Sequence, residues 1–255
     1  MDETKVVYFS ASGTTKKIAT AVAASLGKEV VEHDLLRHPQ VTPVVFEAGE
    51  SAVFAMPVFA GRIPAVCVDM LKQFKGSNTP VIALVVYGNR DYDDALLELS
   101  DLLTEQGFVV VAAAAFIAQH SIFPQVAQGR PDADDQQKIT LFGEACSKAL
   151  ACFSGAEKVI VKGQSPYRDP APIPLTPSGN AHCDECGTCV ALCPTKAISV
   201  DEPRKTNKNL CITCTACIAA CPQNARSFGG PVYAVAGKSF VKKNAERKEP
   251  EFFYA

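Results

Sequence analysis

The feature that most constrains this chain of 255 residues is an internal repeat near its C-terminal end. Cys183, Cys186, Cys189 and Cys193 recur as Cys211, Cys214, Cys217 and Cys221, each 28 residues further on, and Pro194 recurs as Pro222. Each copy reads Cys-x-x-Cys-x-x-Cys-x-x-x-Cys-Pro. Thiolates at this spacing wrap a loop around a cubane and place three sulfurs on one cluster. The fourth cysteine opens a short helix that points at the other cluster. In the two-cluster arrangement Cys183, Cys186, Cys189 and Cys221 hold one [4Fe–4S] centre, and Cys211, Cys214, Cys217 and Cys193 hold the second. Structural zinc is the competing reading, because zinc also accepts four cysteines. Zinc sites usually come as two separated cysteine pairs, whereas here a run of four ends twice in Cys-Pro, which favours iron–sulfur.

The chain has 11 cysteines, an odd number that argues against a disulfide-paired secreted scaffold. Cys67, Cys146 and Cys152 fall within helical patterns and read as small buried hydrophobes. Ahead of the repeat, Pro166, Pro170, Pro172, Pro174 and Pro177 mark an extended, semi-rigid linker, since proline fixes φ and removes backbone donors. The expected organisation is a domain at 1–161, a linker at 162–178, the cysteine-rich unit at 179–228, and a tail at 229–255 packing back on the body.

The first domain alternates apolar strands with helical patterns. Strands are expected at Lys5–Phe9, Glu29–His33, Ser51–Met56, Val81–Tyr87 and Phe108–Ala118, and helices at Thr14–Leu26, Ala65–Phe74, Asp93–Gln106 and Asp134–Phe153. Five such strands interleaved with helices predict an α/β domain, a doubly wound parallel sheet covered on both faces. Hydrophobic residues make up 47% of the chain, enough for a core, and 25 basic against 27 acidic residues give no surface for nucleic acid or an anionic membrane. The longest uncharged apolar run, Phe108–Ala118, is too short to span a bilayer, and the opening MDETKVVYFS lacks the layout of a signal peptide. A cytoplasmic location is expected.

Three loops leave the C-terminal ends of the predicted strands, where open α/β sheets bind ligands. The first, Ser10-Ala11-Ser12-Gly13-Thr14-Thr15, runs straight into a helix. Hydroxyls of Ser10, Ser12, Thr14 and Thr15, with free N–H groups at the helix start and Gly13 allowing close approach, form an anion site; an ordinary capped helix is the alternative. The second runs from Pro57 through Val58, Phe59, Ala60 and Gly61 to Arg62, and the third from Tyr87 through Gly88, Asn89, Arg90 and Tyr92 to Asp93.

In these loops Thr4–Phe153 resembles the flavodoxin family. That resemblance implies FMN, with its phosphate on the first loop and its ring between the second and third. On this basis Phe59 and Tyr92 are the stacking candidates, and Gly61, Gly88 and Asn89 offer backbone contacts. Arg62 and Arg90 would place positive charge near N1/O2, unless they simply face solvent. Asn180–Phe228 looks like a bacterial-type two-cluster ferredoxin. Unlike the usual acidic free ferredoxin, it balances Asp184, Glu185, Asp201 and Glu202 against Lys196, Arg204, Lys205, Lys208 and Arg226. Such neutrality suits a module serving a neighbour in its own chain.

Together, with Gly88–Asp93 and the Gly129–Asp132 motif, nearly the whole chain resembles the fused flavodoxin–ferredoxin proteins of anaerobic bacteria and archaea. The expected function is electron transfer between two [4Fe–4S] clusters and FMN. The expected partners are a ferredoxin-like donor or an acceptor enzyme, with a small-molecule acceptor at the flavin rim as a further expectation. A pure carrier without its own substrate is the alternative, and a flavin-free docking platform a third reading. No Gly-x-Gly-x-x-Gly follows a strand, so no dedicated NAD(P) domain is expected. Gln119–Pro131 reads either as a structural connection or as a lid whose His120 donates a proton to flavin or substrate. His33 and His38 are expected to be solvated and away from the ligand edge, and His182 to be a spacer.

Overall fold

The computed structural model describes residues 3–255 apart from 28, 48, 156–158 and 172; Pro172 of the linker therefore lies outside the described residues. The main sheet comprises β1 (Glu3–Tyr8), β2 (Glu29–Asp34), β3 (Ala52–Pro57), β4 (Thr79–Tyr87), β5 (Phe108–Ile117) and β6 (Glu251–Tyr254). Its order is β6-β5-β4-β3-β1-β2. The first five strands are parallel, in the order 2-1-3-4-5 of the flavodoxin-like doubly wound fold.

The pattern of each strand explains its place. Every residue of β3 is buried and β4 and β5 are buried almost throughout, as expected of strands covered on both faces. Two apolar layers result. On one face α1 (Thr14–Ala24) and α4 (Ala133–Ala151) bury Ile18, Val22, Ile139 and Phe142 against Val6, Val53, Leu84 and Phe116. On the other, α2 (Ala65–Leu71) and α3 (Ala95–Glu105) bury Leu71, Leu96, Leu99 and Leu103 against Phe54, Val85 and Ala113.

The sixth strand corrects the five-stranded expectation. The tail turns into α7 (Gly230–Lys243) after the short helices α5 (Thr188–Leu192) and α6 (Ala216–Ala219), and β6 then pairs antiparallel with β5. Phe252 enters one apolar layer against Phe116 and Phe142, and Phe253 packs on the other. Lashings hold the tail in place. Asn89 Nδ2 donates to the carbonyls of Asn244 and Glu246 at 2.9 and 2.8 Å, and Tyr92 Oη donates to Glu251 at 2.7 Å.

The linker is strapped down as well. Asp94 accepts the amides of Gln164 and Arg168, each at 2.8 Å, and Tyr167 donates to Asp101. Beyond it, the cysteine-rich unit shares the larger apolar core, contributing Cys214 and Ala216 with Leu192 and Ile212 packed alongside.

Candidate functional site

Two cavities occupy the cysteine-rich unit. One is ringed by Cys183, Cys186, Cys189 and Cys221; the other by Cys193, Cys211, Cys214 and Cys217. Each takes three sulfurs from one run and the fourth from the other. Local backbone donors point at the sulfurs: Ala197 N–H lies 3.2 Å from Cys193 Sγ, Ala225 N–H 3.3 Å from Cys221 Sγ, and Thr213 N–H 3.4 Å from Cys211 Sγ. Such donors favour thiolate. Burial works the other way and pushes the Cys214 thiol up to about 12. A charged sulfur there calls for a metal centre to offset the desolvation. The donor set of each cavity, four cysteine sulfurs, fits a cubane.

A third cleft opens at the C-terminal ends of the parallel strands. Ser12, Thr14 and Thr15 line it from the first loop, Pro57, Val58, Phe59 and Ala60 from the second, and Tyr87 and Gly88 from the third. Gly13 stands at the N-cap of α1 with φ of 86° and has no side chain to cap it. A Cβ at Gly13 would meet nothing within 4 Å, so the glycine is required by its backbone angle and not by crowding. The Ser10 hydroxyl accepts the Lys16 amide at 3.0 Å, which folds the loop back over the helix start. A helix N-terminus beside the hydroxyls of Ser12, Thr14 and Thr15 fits a phosphate.

The same cleft is closed from above by Ile173 of the linker and by Ile212, Thr213 and Cys214 of the second cysteine run. Sequence reasoning missed these residues, since nothing in the chain order signals that the second run folds over the sheet edge. Ala118, Gln119 and Ile122 complete the wall after β5.

Several expected ring contacts are not made. Tyr92 is fully buried, its ring against Tyr87 and its hydroxyl on Glu251, so it cannot stack on a ligand in the cleft. Arg62 grips Glu98 through both Nε (2.7 Å) and Nη2 (2.6 Å), donates to the Arg168 carbonyl and stacks on Tyr167. Its charge is spent on holding the linker. Arg90 pairs with Asp93, which also pairs with Arg168 at 2.8 Å. Of the expected backbone contacts, Gly88 lines the cleft but Asn89 and Gly61 do not: the Asn89 side chain is committed to the tail, and Gly61 lies under Asp93, whose Oδ2 would stand 2.3 Å from an added Cβ. Phe59 remains on the cleft wall, edge-on to Phe9.

His120 lines the cleft, with Nδ1 accepting the amides of Ile122 and Phe123 at 3.2 and 3.1 Å. Burial first, and then the nearby Arg90 charge, lower its pKa to about 4. At neutral pH it is an uncharged ring whose Nε2–H is a hydrogen-bond donor, which corrects the expectation of a proton-delivering acid. Nor is Gln119–Pro131 a free lid: Ile122, Phe123 and Val126 are buried beneath Tyr233 and Phe240 of α7. The Gly129–Asp132 motif is structural, with Arg130 bidentate on Asp135 and Asp132 capping α4.

The scattered residues divide. Cys67 and Cys146 are buried, whereas Cys152 is exposed and corrects its expected burial. His182 is exposed. His33 is half-buried, edge-on to Phe74, which corrects its expected solvation; His38 is exposed as expected, but it lines a separate cleft with Ser10, Gly13 and Lys16 and so is not remote from the first loop.

Residues 182–226 match the family of the 4Fe-4S dicluster domain, so this stretch is an iron–sulfur domain. No curated protein matches the sequence. Among solved structures, the chain is similar to a flavodoxin from the domain Archaea, at 15% identity, covering 58% of this chain and 99% of that one with a TM-score of 0.42. A short-chain flavodoxin associated with a non-canonical PDU bacterial microcompartment gives 16% identity, 59% and 99% coverage, and 0.44. Fusobacterium nucleatum flavodoxin bound to flavin mononucleotide gives 14%, 59% and 96%, and 0.39. The strand order, not these scores, is the ground for the flavodoxin-like fold. No helix among the described residues is long and apolar enough to cross a membrane.

Proposed function

We propose that this chain, which joins a flavodoxin-like domain to an iron–sulfur domain, is an electron-transfer protein that binds two [4Fe–4S] clusters and one FMN and passes electrons between them. One observation carries the reading: the cleft at the sheet edge is roofed by Cys214 and its neighbours Ile212 and Thr213, so the wall of the second cysteine cavity is also the wall of the flavin cleft. Bound FMN would supply two-electron chemistry, and each cubane a one-electron step.

This chain's residues then have defined tasks. The start of α1, with Ser12, Thr14 and Thr15, would hold the phosphate. Phe59 and Tyr87 would bound the ring site, and the Nε2–H of His120 would offer a hydrogen bond to it. The buried Ile122 and the half-exposed Ile212 would keep water from the side nearest the cysteines. The electron donor we assign is an external ferredoxin-like protein reaching the first cavity, whose Cys186 is exposed; the acceptor is a partner protein or a small molecule at the Phe59 rim.

Cofactor content of anaerobically purified protein tests the reading. About eight iron, eight acid-labile sulfide and one FMN per chain are expected. Iron without flavin would replace it with the docking-platform reading, and zinc in place of iron would overturn it.

A further inference from the structure

The repeat is not symmetric at one position. Five residues after the fourth cysteine of the first run stands Ile198; at the same place in the second run stands Arg226. Both are buried, at 3% and 2% exposure. Ile198 lines the cavity of Cys193, Cys211, Cys214 and Cys217, while Arg226 lines the cavity of Cys183, Cys186, Cys189 and Cys221. One cavity has an apolar wall where the other has a guanidinium.

Among the described residues, Arg226 has no carboxylate bonded to it. Its Nη1 donates to the Pro203 carbonyl and lies 3.8 Å from Cys189 Sγ, and its Nη2 donates to the Pro177 carbonyl at 3.2 Å and to Thr206. Its Nε is buried with no hydrogen-bond partner. A buried cation without a counter-ion is costly, so negative charge must arrive from elsewhere. Four thiolates around a cubane supply it; Arg226 lines the first cavity with its Nη1 3.8 Å from Cys189 Sγ, while its charge also reaches Cys217 of the second cavity, which it does not line.

We propose that Arg226 sets the two clusters at unequal potentials, raising that of the cluster held by Cys183, Cys186, Cys189 and Cys221 so that it fills first. Each added electron makes a cluster more negative, and a fixed buried cation stabilises the reduced form over the oxidised one. Asp184 and Glu185 on the same loop act in the opposite sense, but both are exposed and therefore screened, and Glu185 is also paired with Arg204. The cluster remote from the flavin cleft thus becomes a one-electron store, and the one beside the cleft a conduit. The proposal rests on the two-cluster reading above.

The test is an electrode-poised redox titration of the full chain, purified without oxygen and followed by electron paramagnetic resonance, for the parent, Arg226→Gln and Arg226→Lys. Glutamine can keep bonds to the proline carbonyls but carries no charge. At a fixed potential, the reduced-to-oxidised ratio of the higher-potential cluster should fall about tenfold in Arg226→Gln, a shift of about 59 mV for one electron. The other cluster should move less, and Arg226→Lys should stay near the parent. Equal shifts in the lysine and glutamine variants, or potentials unmoved in Arg226→Gln at full iron content, would overturn the role. A parent with fewer than two clusters would instead overturn the reading beneath it.

Discussion

At the scale of single residues, direction matters more than type. His120 is held by two amides on Nδ1 and by the rings of Phe123 and Phe240 at 5.6 and 4.7 Å. Gly88 makes this possible, since a Cβ there would stand 2.5 Å from His120 Cδ2. With its folded pKa held near 4 and an unfolded value near 6.5, the folded protein binds fewer protons than the unfolded chain across that window. Stability is therefore full above pH 6.5 and falls as pH drops towards 4, by about 1.4 kcal/mol at pH 5.5. His120→Asn, whose Oδ1 can accept the same amides, should flatten melting temperature against pH between 7 and 5.5; an unchanged slope would remove the histidine from the account. Gly13→Val places a β-branched residue at φ of 86° and should abolish FMN binding while iron stays. Flavin content at the parent level in that variant would take the loop out of the site. Tyr92 shows what a sequence withholds: an aromatic residue in a ligand loop was legible, but the pairing with Glu251 that turns it inward comes from a segment 159 residues away.

Secondary elements were legible wherever one pattern filled them. The five parallel strands and four flanking helices fall within a few residues of their expected limits, because apolar runs and helical spacing are local signals. The tail was not. Helix α7 has no fully buried residue, and β6 is four residues whose partner, β5, lies far back in the chain. Both exist because the loop after β5 and the outer edge of β5 offer surface to cover, which is tertiary information. Asn89 fastens this tail through three hydrogen bonds, two to carbonyls and one from the Lys248 amide. Asn89→Ala leaves those groups short of a partner and should cost about 1–3 kcal/mol. Trypsin should then cut faster after Lys242, Lys243 or Arg247, as read by a digestion time course against the parent; equal rates would show that the strand alone holds the tail.

For the whole molecule, the sequence announced two cysteine runs and a ligand-binding sheet edge, but not that one run lies on the other domain. That contact is built from Ile212, Thr213 and Cys214, with Thr213 Oγ1 donating to the Leu175 carbonyl at 3.0 Å. No periodicity encodes it. Its consequence is an asymmetry between variants. If the cleft holds FMN as proposed, Cys214→Ala, next to it, should brighten flavin fluorescence by removing a quenching neighbour, while Cys186→Ala, on the far cavity, should leave flavin bound and dim. Equal brightening would place both clusters at similar distances from the ring.

The crossed ringing of the two cavities also governs how such a protein comes apart. Cys221 closes the first cavity from the end of α6, and Cys193 closes the second from the end of α5, so the two runs are clasped like the halves of a buckle. With a cluster in each cavity, as proposed, an oxidant that dissolved one would release the helix end on which the other depends. Iron should therefore leave in one concerted phase, begun at the exposed Cys186 and carrying the cover of the neighbouring cleft with it.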